Sequence, residues 1–455
     1  MKRLMSLLIA LCILFTCSAA VAATYEGYTE EQFAALDKTT VVKSEDSPTG
    51  YFVTFRYKAP DATRVRIYGE WVFSAPDQAS FVTSENATPE AWHDGDTIWS
   101  TKGWPTADMV KDEATGIWSY TIPLPTGTWN YRFYLGGAAG AELTDYTDAV
   151  MIADPNNTHY IIDPNAELNG EECLTSVYVP YDEVKQAKTV ARPEEAPRAA
   201  ENGKVLFETS KSSGGIETSY GVYLPYGYDA NRAEPYPILV LFHGGGGYDG
   251  SWFNNGLVNI LDNMIAEGRM EPTIVVTPNG SDFPNDTFRW DRPAILDFVV
   301  NTILPHMSEA YNATEDPARR AFAGLSMGGA TVGYGLFHHT DVFDYFALFS
   351  APFLGDIRPD YELPQLKDKS IFIGYGDYDF VVTRSLYHLE PDKEGEKAGQ
   401  KTVLMGKDNE GSVLEYLIGL TNAGVPVKIS RLPYGHQWSL WRQFAVNIFE
   451  NLLWK

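Results

Sequence analysis

Ser326 stands in the run Gly324-Leu325-Ser326-Met327-Gly328-Gly329, a Gly-x-Ser-x-Gly spacing. A serine hydroxyl is a weak nucleophile unless it is held exposed beside a base, and a sharp strand-to-helix turn does the holding. Ala321 to Ala323 read as the buried strand and Met327 to His339 as the helix, with glycines that let neighbouring backbones come close. The start of that helix aims N–H groups at the place where an oxyanion would form. The chemistry implied is attack on an ester carbonyl through a covalent acyl intermediate. Because the spacing alone is common in a glycine-rich chain, its weight comes from the partners it finds.

Eight histidines are available as the base. His93 and His159 lie in an N-terminal β-rich region, His306 sits within a helix, and His338 and His339 end the helix after the elbow. His243 opens a glycine run, and His388 follows too soon after Asp379 for a separate strand to carry it. His436, in Pro433-Tyr434-Gly435-His436-Gln437-Trp438, directly follows a predicted strand and is the candidate base. The acid that would orient it lies in Gly374-Tyr375-Gly376-Asp377-Tyr378-Asp379, which gives the chain order Ser…Asp…His. Asp379 is the first choice there and Asp377 the fallback.

A backbone donor opposite the nucleophile comes from the loop after the first long apolar strand, here His243-Gly244-Gly245-Gly246-Gly247. One oxyanion donor is expected from the Met327 N–H and the other from Gly245 or Gly246. A phosphate-cradling loop would end in Gly-Lys-Ser/Thr, and this one does not. Trp252, Trp290 and Trp438 are candidates for an aromatic acyl or sugar pocket. No metal or organic cofactor is implied.

These residues need a scaffold. From residue 204 onward, strands (205–209, 220–224, 238–242, 274–277, 346–349, 371–374, 427–432) alternate with helices (257–266, 294–310, 413–423, 438–453). That alternation predicts an α/β fold with a mostly parallel sheet covered on both faces, of the α/β-hydrolase type. Ser326, Asp379 and His436 all fall just after strands, where such sheets gather their chemistry. Residues 24–165 read all-β, with strands at 51–57, 64–69, 117–122 and 128–135, and predict a small immunoglobulin-like sandwich. A Trp-rich stretch from Glu70 to Asp112 reads as loops, and residues 166–203 read as a linker, on the charged, Ala- and Pro-rich composition of 182–203.

Residues 1–23 read as a secretory signal: Lys2 and Arg3, an apolar run from Leu4 to Phe15, then an Ala-x-Ala site. The run is shorter than the ~20 residues a spanning helix needs. Phe15-Thr16 before Cys17 is a poor match to a lipidation site. Cleavage would leave Cys173 as the sole cysteine, hence no intrachain disulfide, in a secreted or periplasmic protein. The net charge of −25 repels nucleic acid and anionic lipid, so neither partner is expected.

Leu-Phe-His-Gly-Gly-Gly-Gly at 241–247, Gly-Leu-Ser-Met-Gly-Gly at 324–329, Gly-Asp-Tyr-Asp-Phe at 376–380 and Gly-His-Gln-Trp-Ser-Leu-Trp-Arg at 435–442 resemble the family-1 carbohydrate esterases. That family includes feruloyl and acetylxylan esterases, and the resemblance spans residues 204–455. It implies a Ser326–His436–Asp379 triad, favours Asp379 over Asp377, and points to acylated polysaccharide as substrate. Arg64-Val-Arg-Ile-Tyr-Gly-Glu-Trp71, Gly127-Thr-Trp-Asn-Tyr-Arg-Phe133 and Asp154-Pro-Asn156 resemble family-48 carbohydrate-binding modules. Trp92, Trp99 and Trp104 would be the loop tryptophans able to stack on sugars, with Trp118 and Trp129 in the core. Rival readings are a siderophore esterase, which pairs a β-sandwich with the same hydrolase domain, and a glycan-binding protein without activity.

Overall fold

The computed structural model describes residues 37–75, 83–98, 103–157, 174–284, 290–351, 363–379, 381–382, 388–389, 402–403 and 420–455. The expected signal segment, Cys173, Trp99, His159 and most of the helix expected at 413–423 lie outside the described residues.

The first part of the chain forms two antiparallel sheets. One has the order β1 (Thr40–Lys43), β2 (Tyr51–Lys58), β8 (Ile117–Pro123), β7 (Val110–Asp112). The other runs β10 (Ala149–Ile152), β9 (Gly127–Gly136), β3 (Val65–Gly69), β6 (Thr106–Asp108), with β11 (Thr175–Val179) also paired to β9. Alternation along the strands sends Val53, Phe55, Ile67, Trp129, Tyr131 and Phe133 into one shared core. The stretch expected to be loops instead supplies β6, β7 and a small ladder of β4 (Phe73–Ser74) with β5 (Thr97–Ile98).

The second part is an eight-stranded sheet. Its order is β12 (Lys204–Lys211), β13 (Glu217–Leu224), β15 (Ile274–Pro278), β14 (Ile238–Phe242), β16 (Arg320–Leu325), β17 (Tyr345–Phe349), β18 (Ser370–Gly376), β21 (Val427–Leu432). The strands from β15 to β21 are parallel, and β12 and β13 add antiparallel. A two-residue ladder, β19 (His388–Leu389) with β20 (Thr402–Val403), stands apart from it. Period-two alternation splits β14: Ile238, Val240 and Phe242 face one apolar cluster, while Leu239 and Leu241 face the other.

Helix α1 (Leu257–Ala266) and α5 (Trp438–Asn451) cover one face. On the other lie α2 (Arg292–Phe298), α3 (Leu304–Tyr311) and α4 (Met327–His338). A π-turn at Val299–Ile303 joins α2 to α3 just before Pro305, which has no N–H to continue the α-helical ladder.

Residues 166–203 do not behave as a linker where they are described. Thr175–Val179 is β11, and Gln186 is fully buried, accepting from Thr126 N at 2.8 Å and donating to Thr49 O at 2.7 Å. Glu195 and Arg192 are also buried. From residue 182 the segment has few large apolar residues, but polar and ionic contacts anchor it, and hydropathy does not reveal those.

Glu70, buried beside Arg442, has its carboxyl pushed up to about 7, because desolvation outweighs the nearby cation. A raised folded pKa means that the native state keeps a proton the unfolded chain has already released. Stability from this group is therefore complete below the ordinary carboxylate range and is lost as pH rises from there through about 7. Each tenfold fall in proton concentration across that window removes about 1.4 kcal/mol. Glu70→Gln should melt near the wild type at pH 5 and above it at pH 8. A variant that melts lower at pH 8 would show that the ion pair outweighs the burial cost.

Candidate active site

β14 and β16 are neighbours, and the chain leaves β14 toward β15 on one side before returning to β16 on the other. A crevice therefore opens beyond their carboxyl ends, at the point where the strand order reverses. The glycine run follows β14 and Ser326 follows β16, so both stand at that crevice. Asp379 follows β18 and His436 follows β21.

Ser326 has φ 50° and ψ −119°, a conformation that L side chains avoid and that costs about 1–3 kcal/mol. Its surroundings enforce it: Ser326 N donates to Phe349 O at 2.8 Å, and Ala330 N donates to Ser326 O at 3.0 Å. The two flanking glycines permit the turn. A Cβ on Gly324 would lie 2.6 Å from the Gly328 carbonyl carbon, and one on Gly328 would lie 2.3 Å from His243 O. The hydroxyl is thereby aimed into the crevice and not into the helix.

His436 Nε2 lies 3.0 Å from Ser326 Oγ, and Nδ1 lies 2.9 Å from Asp379 Oδ1. The tautomer that satisfies both contacts donates from Nδ1 and accepts the serine proton at Nε2. Asp379 is fully buried, and its Oδ1 also accepts from Val381 N at 3.0 Å. Asp377 is engaged elsewhere, in an ion pair with Arg431. Of the two carboxylates, it is Asp379 that meets the imidazole.

The glycine loop closes on the elbow. Gly247 N donates to Gly244 O at 3.2 Å, and Gly246 takes φ 78°. A Cβ on Gly244 would meet Leu325 Cδ1 at 2.6 Å, and one on Gly245 would meet Met327 Sδ at 2.7 Å. Gly246 has open space around it. Met327 is the first residue of α4, so its N–H has no acceptor within the helix. His243 braces this loop: Nδ1 donates to Gly244 O at 2.7 Å, and Nε2 accepts from Gly280 N at 3.1 Å. Burial lowers its pKa to about 4, which keeps the ring neutral and able to accept.

The expected tryptophan pocket is corrected for Trp252 and Trp438. Trp252 is completely buried, donates to Phe242 O at 2.9 Å and packs edge-on against Trp438, their ring centres 5.2 Å apart. Trp438 in turn meets Trp441. Trp438 faces the sheet because the first turn of α5 turns its apolar side inward, Trp252 reaches the same cluster from the short helix Ser251–Asn254, and neither opens to a ligand. Trp290 is also buried, edge-on to His243 at 5.0 Å. In the β-rich part, Trp92, Trp118 and Trp129 are buried, while Trp104 is half-buried against Tyr68 at 5.3 Å.

Trp441 is a site residue that the sequence reading did not single out. Its ring stands edge-on to His436 at 4.9 Å, and its Nε1 donates to Ser350 Oγ at 3.0 Å. Its position three residues after Trp438 puts both on one helix face, a signal present in the sequence. Among the described residues no cluster of three or more His, Cys, Asp or Glu could hold a metal. Nor is any described helix long and apolar enough to cross a membrane.

Residues 212–385 match the family model described as "Putative esterase". An endo-1,4-beta-xylanase/feruloyl esterase of Xylanibacter ruminicola is 34% identical over 179 residues, which is 37% of this chain and 24% of that protein. Endo-1,4-beta-xylanase Y of Acetivibrio thermocellus is 35% identical over 158 residues, 33% of this chain and 14% of that protein. The chain thus spans a quarter or less of these curated relatives' length. Among solved structures, the enterobactin esterase of Shigella flexneri is similar in fold, with TM-score 0.53 and 15% identity over 93% of this chain and 99% of that one.

The close approach at Gly328 carries its own test. Gly328→Ala should lower stability by about 1–3 kcal/mol, because its methyl would collide with main chain that cannot move aside. A denaturant midpoint equal to the wild type would mean that the elbow is looser than described.

Proposed function

We propose that this chain is an exported serine esterase that removes acyl groups, feruloyl or acetyl, from plant cell-wall polysaccharide such as xylan. The observation that carries the proposal is the single imidazole bridging Ser326 Oγ and Asp379 Oδ1 at the carboxyl edge of the sheet. Ser326 Oγ attacks the ester carbonyl as its proton passes to His436 Nε2. The tetrahedral oxyanion is held by the N–H of Met327 and by that of Gly245 or Gly246. His436 returns the proton to the departing sugar alcohol, leaving an acyl-enzyme. Water then gives a proton to the same nitrogen and attacks the acyl carbon, and the nitrogen passes that proton to Ser326 Oγ as the acid departs. Asp379 keeps the tautomer correct and stabilises the imidazolium between steps.

The substrate class is supported by the names of the curated relatives, a xylanase/feruloyl esterase and a xylanase. The two antiparallel sheets support reading the N-terminal part as an immunoglobulin-like module of the family-48 carbohydrate-binding type, and residues 1–23 support export. A second reading, hydrolysis of a siderophore ester, is favoured by a fold shared with an enterobactin esterase across nearly the whole chain. Mass-spectrometric product analysis with feruloylated and acetylated xylo-oligosaccharides, and in parallel with a catecholate siderophore, separates the two.

Ser326→Ala should abolish ester hydrolysis and leave the circular dichroism spectrum unchanged. Asp379→Asn should lower kcat by about 10⁴-fold through the wrong tautomer, whereas Asp377→Asn should stay near wild type. Turnover retained by the purified Ser326 variant refutes the assignment.

A further inference from the structure

The segment carrying His436 is tied to the N-terminal half of the chain at three places. Two residues before it, the Tyr434 hydroxyl accepts from Arg192 at 2.9 Å, and the guanidinium lies 5.4 Å from that ring's centre. One residue after it, Gln437 Nε2 donates to Ile98 O at 3.2 Å, on β5 of the N-terminal part. Six residues after it, in the second turn of α5, stands Arg442, which is fully buried.

Arg442 is the hub. Its guanidinium pairs with Glu195 at 3.1 Å and with Glu70 at 3.6 Å, donates to Thr128 O at 2.5 Å, and reaches back to Asn255 O at 3.2 Å. The carboxylates are held in turn: Glu195 accepts from Thr128 N at 2.7 Å, and Glu70 accepts from Asn130 N at 3.2 Å. Arg192 completes the cluster, 3.8 Å from Glu195. All four charged side chains are buried. Such a cluster adds little to stability compared with an apolar core, but it has few alternative arrangements and so fixes geometry. Along the chain, the residues between Arg442 and the imidazole belong to the start of α5 and include Trp441, whose ring lies against the imidazole.

We propose that Arg442 is a positioning residue for His436, which makes the N-terminal half, through Glu70, Arg192 and Glu195, part of the apparatus that holds the base in register with Ser326. The inference rests on the reading of His436 as the base. A tilt of the ring by a fraction of an ångström would break one of its two contacts while leaving the substrate crevice intact, so the loss falls on kcat and not on KM.

The test is kinetics on a chromogenic acetyl ester together with hydrogen–deuterium exchange of the full chain. Arg442→Met should lower kcat by about 10–100-fold with KM nearly unchanged, and should speed exchange of amides in 434–442. Arg442→Lys should fall between, because one ammonium cannot span acceptors on four segments. If Arg442→Met fails to fold, the charge-balanced Glu70→Gln/Arg442→Met variant, which leaves the Arg192–Glu195 pair in place, is measured the same way. Tyr434→Phe, which severs only the bond to Arg192, should show the same pattern in weaker form. A folded variant with wild-type kcat and unchanged exchange overturns the proposal and leaves the esterase reading standing. An inactive wild type overturns that reading instead, and the exchange data still decide whether Arg442 holds the loop.

Discussion

One imidazole has to face two partners at once, and most of the fold can be understood as the means of letting it do so. The 3.0 Å and 2.9 Å contacts of His436 fix the ends of β16, β18 and β21 relative to one another. Hydrogen bonding between adjacent parallel strands sets those ends to well within an ångström, a precision that loops alone do not provide. β17, between β16 and β18, also holds the main chain of Ser326 through the Ser326 N to Phe349 O bond. The strain at Ser326 persists because sheet, helix and glycine loop all oppose its relaxation.

Close backbone approach is the second constraint. Gly324, Gly328, Gly244 and Gly245 crowd together where the elbow meets the loop after β14, and a side chain on any of them would meet a neighbour at under 3 Å. Beneath His436, the file Trp441–Trp438–Trp252 fills the space with rigid rings and leaves no room for the imidazole to drop into the core. The buried charges around Arg442 then join this wall to the β-rich half.

Much of this was legible in the sequence. Strand positions in the α/β part were readable because buried parallel strands are continuous apolar runs, as in Ile238–Phe242 and Tyr345–Phe349. That Ser326, Asp379 and His436 meet was readable because few residue types suit the proposed chemistry and each follows a strand. Local pattern could not separate Asp379 from Asp377, since both lie in one turn; the resemblance favoured the former. The tryptophans misled because residue type says nothing about direction: Trp252 and Trp438 belong to the helical face that meets the sheet. The supposed linker misled because Gln186, Arg192 and Glu195 look solvated in any hydropathy scale. Their partners lie tens to hundreds of positions away, and only the folded chain shows that they are buried.

The central claim is that the Ser326 hydroxyl is made nucleophilic by His436. Labelling with a fluorophosphonate and locating the adduct by peptide mass spectrometry tests it without knowledge of the natural substrate. The account predicts a single adduct on Ser326 in the wild-type protein and its loss in His436→Ala. An adduct on another residue, or equally fast labelling of Ser326 without the imidazole, would contradict it.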